Sequence, residues 1–249
     1  MGTSKLYLED TDRVEAEATV EEINKGELES EQSSIVLDAT VFSPQGGGQP
    51  SDEGVIEGEF GRFKVEKVRF DGEKIVHYGT GDLPLEKGVV VRLMVDKEKR
   101  SLFSRLHSAG HALDRAMANL GYPSDRLKAT KGYHFPDGPS VEYEIVGAPP
   151  TPEEMASLPS SLTTEMLSLV EANIDTEVIQ DISKAEAIET TDLTESDLKG
   201  YPERLRLVKI AGTFLPCSGT HVKSSGMIGP VTVTRAKKKK NTLKISYTL

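Results

Sequence analysis

The chain has five histidines and one cysteine in 249 residues, and four of these six fall in two pairs of identical spacing, His107-x3-His111 and Cys217-x3-His221. Residues at i and i+4 on a helix project from one face with Cβ atoms about 5–6 Å apart, near enough to share an ion. Three imidazoles and a thiol make the donor set of a tetrahedral zinc centre. One such ion per chain would oblige the fold to bring position 107 to position 217, which is incompatible with a string of independent local units. Each pair alone also suits half-buried histidines against an apolar core; their joint occurrence favours a shared site.

A single cysteine allows no internal disulfide, which fits a reducing, cytoplasmic setting. Met1 to Asp10 has neither the apolar stretch of a secretory signal nor the arginines of a transit peptide. No run approaches the ~18–20 apolar residues that span a bilayer, so no membrane partner is expected. The net charge of −10 would argue against a polyanionic partner if it were evenly spread. It is not: the last 46 residues hold ten Lys/Arg and no Asp or Glu, and the first 203 hold 20 cations against 40 acids. A basic C-terminal part on an acidic protein suggests a face that meets a polyanion. Arg204, Arg206, Lys209, Lys223 and the run Lys237, Lys238, Lys239, Lys240 are the candidate phosphate contacts. For the lysine run, a solvated hairpin turn is the alternative.

Residues 13 to 95 show short runs with strand periodicity: Val14–Val20, Ile35–Phe42, Phe63–Phe70, Lys74–Tyr78 and Gly88–Val95. Asp71-Gly72 carries the signature of a type I′ hairpin turn. These elements predict a small β-barrel over residues 1–95. The period changes at Asp96, a helix N-cap, after which Leu102, Leu106, Leu113, Met117 and Leu120 keep helical spacing until Gly121. Thr151-x2-Glu154 and Ser183-x2-Glu186 are capping boxes opening two further helices. Thirteen Asp/Glu against two Lys over 151–203 are expected to be solvated helix faces. Arg204–Ile210, Val231–Arg235 and Thr242–Tyr247 read as strands, the last two joined through a lysine turn. The whole is α+β, with a second domain over 96–249.

Between two strands of the first domain lies Phe42-Ser-Pro-Gln-Gly-Gly-Gly-Gln-Pro-Ser-Asp-Glu-Gly54. Gly46, Gly47 and Gly48 permit a backbone approach that side chains would block, which makes them candidate substrate-binding positions; a flexible surface turn is the alternative. The stretch lacks the Lys and Ser/Thr of a phosphate-binding loop, so no ATP is expected.

Four segments taken together are similar to one family: Phe42–Gly54, the His107–Leu113 run HSAGHAL, Lys131–Tyr143 (KGYHFPDGPSVEY), and Leu205–Gly229 around CSGTHV. In this order they resemble AlaX, the free-standing homologues of the alanyl-tRNA synthetase editing domain, in its medium-sized form. A form of this size is expected to lack the ATP-binding synthetase core and the long C-terminal coiled coil. Ser218 stands where the family usually has glycine, which puts the local turn geometry in question while keeping the ligand pair.

The resemblance implies a zinc-binding editing domain of the threonyl/alanyl-tRNA synthetase type behind the barrel. It further implies a hydrolase that deacylates mischarged tRNA(Ala), chiefly Ser-tRNA(Ala), with Gly-tRNA(Ala) as a possible second substrate. It points to Thr40 and Gln49 as groups reading the serine hydroxyl, although Thr40 also suits an ordinary strand and Gln49 a turn cap. His134, inside a matched segment, is either a substrate contact and base or a ring packed against Tyr133 and Phe135. The zinc is open to two roles, orienting substrate and polarising water, or only shaping the pocket. Two other readings stand beside this one: a non-catalytic zinc-stabilised tRNA-binding module, and editing of mischarged tRNA(Thr).

Overall fold

A computed structural model describes residues 2–24, 33–81 and 86–249. Their contacts divide into two compact units: residues up to Gly46 with Pro50–Leu102, and Gly47–Gln49 with Phe103–Leu249. The expected boundary at 95 is thus displaced into the following helix, and the glycine-rich segment gives its tip to the second unit.

The first unit contains β1 (Ser4–Lys5), α1 (Leu6–Glu9), β2 (Glu15–Asn24), β3 (Ser33–Leu37), β4 (Ala39–Thr40), β5 (Gly54–Gly58), β6 (Gly61–Phe70), β7 (Ile75–Gly81) and β8 (Val90–Val95). Six of these close a barrel in the order β2-β3-β7-β6-β5-β8. Alternate residues fill it, among them Val20, Ile35, Leu37, Ile56, Phe63, Val65, Val68, Ile75 and Leu93. The step from Val65 to Val68 departs from strict alternation because the register shifts between Val65 and Lys67, where β6 bulges. Phe70 pairs with Ile75 and Asp71 N donates to Lys74 O at 3.1 Å, so the tip is Gly72-Glu73, of which Gly72 alone has positive φ, and not the type I′ turn over Asp71-Gly72. The Asp71 carboxylate causes the difference, accepting from the backbone N–H of Glu73 (3.3 Å) and Lys74 (2.9 Å).

Asp52, wholly buried, closes the base of the glycine-rich loop. Its Oδ2 accepts from Ser43 N at 2.5 Å, and its own N–H donates to Ser43 O at 3.0 Å. Arg100 holds the carboxylate through Nε at 3.0 Å and donates to Val41 O at 2.5 Å through Nη2.

Helix α2 (Lys97–Asn119) begins where Asp96 Oδ1 accepts from Glu98 N and Lys99 N at 3.1 and 3.0 Å. It ends at Gly121, whose φ of +85° turns the chain so that Tyr122 N donates to Met117 O. The second unit continues with β9 (Leu127–Tyr133), β10 (Ser140–Ile145), α3 (Pro152–Glu171), β11 (Glu177–Ser183), α4 (Lys184–Thr190), β12 (Arg204–Ile210), β13 (Thr213–Pro216), β14 (Thr232–Lys239) and β15 (Thr242–Thr248). Both capping boxes form, at Thr151/Glu154 and Ser183/Glu186. The strands make two sheets, β14-β15-β10-β9 and β11-β12-β13.

The lysine run is not a turn. Lys237, Lys238 and Lys239 lie in β14, paired with Lys244, Leu243 and Thr242; Lys240 (φ +53°) and Asn241 alone make the connection. The protein is therefore of mixed α and β structure with a six-stranded barrel, and no helix among the described residues is long and apolar enough to cross a membrane.

Candidate metal centre

His107 and His111 occupy successive turns of α2, and Cys217 and His221 lie in the segment that follows β13. The pairing of β12 with β13 delivers that segment: Cys217 N donates to Arg206 O at 3.2 Å. One ligand atom from each of the four residues falls within 4.8 Å of the others. His107 Nε2 lies 3.0 Å from His111 Nε2 and 3.6 Å from Cys217 Sγ.

The orientation of His107 is fixed from behind. Its Nδ1–H donates to Gln49 Oε1 at 2.7 Å, leaving the Nε2 lone pair toward the other donors. Gln49 is held in turn: Thr220 N donates to its Oε1 at 3.1 Å, and its Nε2 donates to Thr220 Oγ1 at 2.7 Å. Gly219 lets this happen, since a Cβ there would overlap the His107 ring and the Gln49 carboxamide oxygen. Ser218, the departure noted in the sequence, is exposed and leaves Gly219 in place.

The donors suit a zinc ion. Burial depresses the pKa of all three imidazoles, helped by the neighbouring rings: His111 to about 3, His107 and His221 well below the usual value. They are neutral and offer lone pairs. Both ring nitrogens of His221 are buried without a hydrogen-bond partner among the described residues, an arrangement that costs about 1–3 kcal/mol unless something accepts the lone pair. Burial raises the Cys217 thiol, while Gly219 N–H donates to its sulfur at 3.4 Å; coordination would take the proton from such a thiol. His111 and Cys217 are partly accessible, His107 and His221 are not.

His134 joins the same cluster, its ring centroid 5.0 Å from that of His107. Tyr247 Oη donates to Leu106 O at 2.9 Å and so accepts from His134 Nδ1–H at 2.7 Å, which places the lone pair of His134 on Nε2. Three glycines make the space: a Cβ at Gly110 or Gly132 would overlap this ring, and one at Gly48 would meet Gly132 O. Gly110, inside α2, is thus part of the wall around the His134 ring. Tyr247 carried no sequence signal at all.

The remaining expected residues are placed as follows. Thr40 is in the first unit, fully buried; His77 Nδ1–H donates to Ile35 O at 3.1 Å, so His77 Nε2 accepts from Thr40 Oγ1 at 2.8 Å. The same Oγ1 accepts from Phe42 N at 3.0 Å. Of the glycines, Gly47 (φ +56°) and Gly48 (φ +80°) need the left-handed region, and Gly48 O accepts from His134 N at 2.8 Å. Arg204 forms a bidentate pair with Asp181, and Lys209 pairs with Glu177 at 2.8 Å. Arg206 donates to Cys217 O at 2.8 Å and Gly219 O at 3.3 Å, bracing the ligand loop. Lys223 and Lys237 to Lys240 are exposed. The acidic segment is therefore not only solvated surface: β11 pairs with β12, and that register brings Asp181 and Glu177 to Arg204 and Lys209.

Comparison with known proteins agrees with this geometry. Residues 3–99 match the family described as tRNA synthetases class II (A), and residues 205–244 match the threonyl and alanyl tRNA synthetase second additional domain. Alanine–tRNA ligases from Methanoregula boonei and Methanoculleus marisnigri are each 34% identical, over 94% and 93% of this chain and 24% of their own lengths. The alanyl-tRNA editing protein AlaX-L of Pyrococcus horikoshii is 30% identical over 98% of this chain and 57% of its own. The chain thus spans about a quarter of the ligases and rather more than half of AlaX-L. By these matches the chain is homologous to AlaX-L and to the segment of the alanine–tRNA ligases that it spans.

Proposed function

We propose that the protein is a zinc-dependent deacylase that hydrolyses the aminoacyl ester of mischarged tRNA(Ala), chiefly Ser-tRNA(Ala), with Gly-tRNA(Ala) as a second substrate. The observation that carries this reading is the convergence of three neutral imidazoles and a thiol beside His134, in a chain homologous to AlaX-L over nearly its whole length. Such an enzyme answers a physical limit. A pocket built for alanine rejects glycine, or an analogue with one more hydroxyl, by only about 1–3 kcal/mol, whereas a site that hydrogen-bonds the hydroxyl can discriminate by about 10⁴-fold.

His107, His111, Cys217 and His221 would hold the zinc. When bound, the ion supplies Lewis acidity toward a carbonyl or a water. The partial accessibility of His111 and Cys217 makes theirs the side on which the aminoacyl group approaches. His134, its Nδ1–H committed to Tyr247, presents Nε2 as a proton acceptor. Gln49 acts by orienting His107 and not by touching the serine hydroxyl, because its carboxamide oxygen already accepts twice. Thr40 likewise holds the start of the glycine-rich segment, its hydroxyl being engaged by His77 and Phe42. Support for tRNA as partner comes from the exposed Lys237 and Lys239 of β14 and from the family match.

The test is release of free amino acid from Ser-, Gly- and Ala-charged tRNA(Ala) by the zinc-loaded protein and its His111→Ala variant at low salt. Rapid loss of serine, with alanine spared and the activity gone in the variant, is expected. Release no faster than in buffer, with tRNA still bound, would overturn the reading in favour of a binding module.

A further inference from the structure

The β14-β15-β10-β9 sheet buries one face through Leu243, Ile245, Tyr247, Val141 and Tyr143. Its register stacks the opposite face in rows. Lys237, Lys244, Glu142 and Lys131 align across all four strands. Lys239, Thr242, Glu144 and Lys128 form the next row, and Arg235, Ser246, Ser140 and Tyr133 the row on the other side. Six cations thus share a face with two carboxylates, and no ion pair among the described residues engages any of the eight. Lys237 lies directly opposite Lys244, a like-charge pair that weakens a sheet until a counter-charge arrives.

The third row ends in an aromatic shelf. Tyr133 and Phe135, both half-buried, stack with centroids 4.7 Å apart and planes inclined by 17°. Tyr133 Oη donates to Asp137 at 3.0 Å, which fixes the ring. The residue between them is His134, which turns inward to the metal cluster. A basic field that runs into a stacked aromatic pair is the combination that holds a phosphate backbone and then an unpaired base.

We infer that this sheet face is the surface on which tRNA lies, the rows of lysine and arginine taking its phosphates and the Tyr133–Phe135 shelf taking a base of its single-stranded end. The inference rests on the reading that the substrate is an aminoacyl-tRNA, and it assigns Lys128, Lys131, Arg235, Lys244, Tyr133 and Phe135 to binding.

The experiment measures affinity of the zinc-loaded full chain for uncharged tRNA(Ala) between about 50 and about 200 mM KCl, by fluorescence anisotropy. Removing three cations of the face together (R235Q, K237Q and K244Q) is expected to lower the slope of log K against log salt by about 2–3, and low-salt affinity by more than ~10-fold. Lys238→Gln, one residue along but alternating to the other side of β14, should change affinity by less than ~2-fold. Tyr133→Leu should weaken binding by ~5-fold or more with an unchanged slope. Thermal unfolding of each variant confirms that the loss is not one of fold. A triple variant with wild-type slope and affinity overturns the inference. So does wild-type protein that fails to bind tRNA at low salt, which would leave an acidic protein as the partner of this face. Serine release is followed in parallel: an inactive wild type whose tRNA binding still depends on the face sinks the deacylase reading and keeps the surface, and active face variants of unaltered affinity do the reverse.

Discussion

The carboxamide oxygen of Gln49 lies 2.7 Å from Nδ1 of His107 and accepts its proton, so a residue 58 positions upstream sets which imidazole nitrogen of the first ligand faces the cluster. Partners that orient ligands in this way typically account for 10- to 100-fold in metal affinity. Gln49→Leu should therefore weaken zinc binding by roughly that factor, measured by competition with a chromophoric chelator. A variant of unchanged affinity would leave Gln49 no part in orienting the centre.

Gly110 sits inside α2, where alanine would ordinarily stabilise a helix by about 1 kcal/mol. Here a Cβ would overlap the imidazole of His134, whose ring is hemmed in by Gly132 on another side. Overpacking of this kind costs about 1–3 kcal/mol. Gly110→Ala is expected to lower the unfolding midpoint in urea and to slow serine release. A more stable variant with full activity would show that His134 moves aside freely.

Asp114 gives stability a pH dependence of known sign. Burial raises its pKa to about 7, against the pull of Tyr143 Oη, which donates to it at 2.7 Å. Between pH 4 and 7 the folded state keeps a proton that the unfolded chain has released, so stability falls as pH rises through that window and is flat above it. Asp114→Asn should match the wild type below about pH 4 and exceed it at pH 8. Taking the difference in midpoint between the two proteins cancels the contribution of histidines common to both. A difference that does not change with pH would refute the shift.

In the first unit, Thr40→Val leaves His77 Nε2 without its donor and Phe42 N without its acceptor, both buried. A loss of about 1–3 kcal/mol is expected by urea unfolding, and Thr40→Ser should restore most of it. If Thr40→Val alters the preference for Ser- over Ala-tRNA(Ala) while stability is unchanged, Thr40 meets the substrate directly.

What the sequence disclosed was local or compositional. Asp96, Gly121 and the two capping boxes act within one turn of their own position, and the His and Cys pairs are rare enough in this chain to suggest each other. The basic balance of the last 46 residues was visible, but its meaning depended on pairing. Arg204 and Lys209 are met by acids on β11, and Arg206 is turned to a backbone loop, so the cations that remain on a common face lie on other strands. No count along the chain reveals which charges a sheet will set side by side. The same holds for Tyr247 and His134, joined by one hydrogen bond across 113 positions.

The assignment of Gly47–Gln49 to the second unit bears on how this architecture can be cut or transplanted. A fragment starting at Phe103 would inherit all four donor residues and the whole of both sheets, yet it would leave the His107 Nδ1–H and the Thr220 amide without the acceptor they share. Grafting the metal centre into another scaffold would thus require three extra residues supplied from far upstream in the chain.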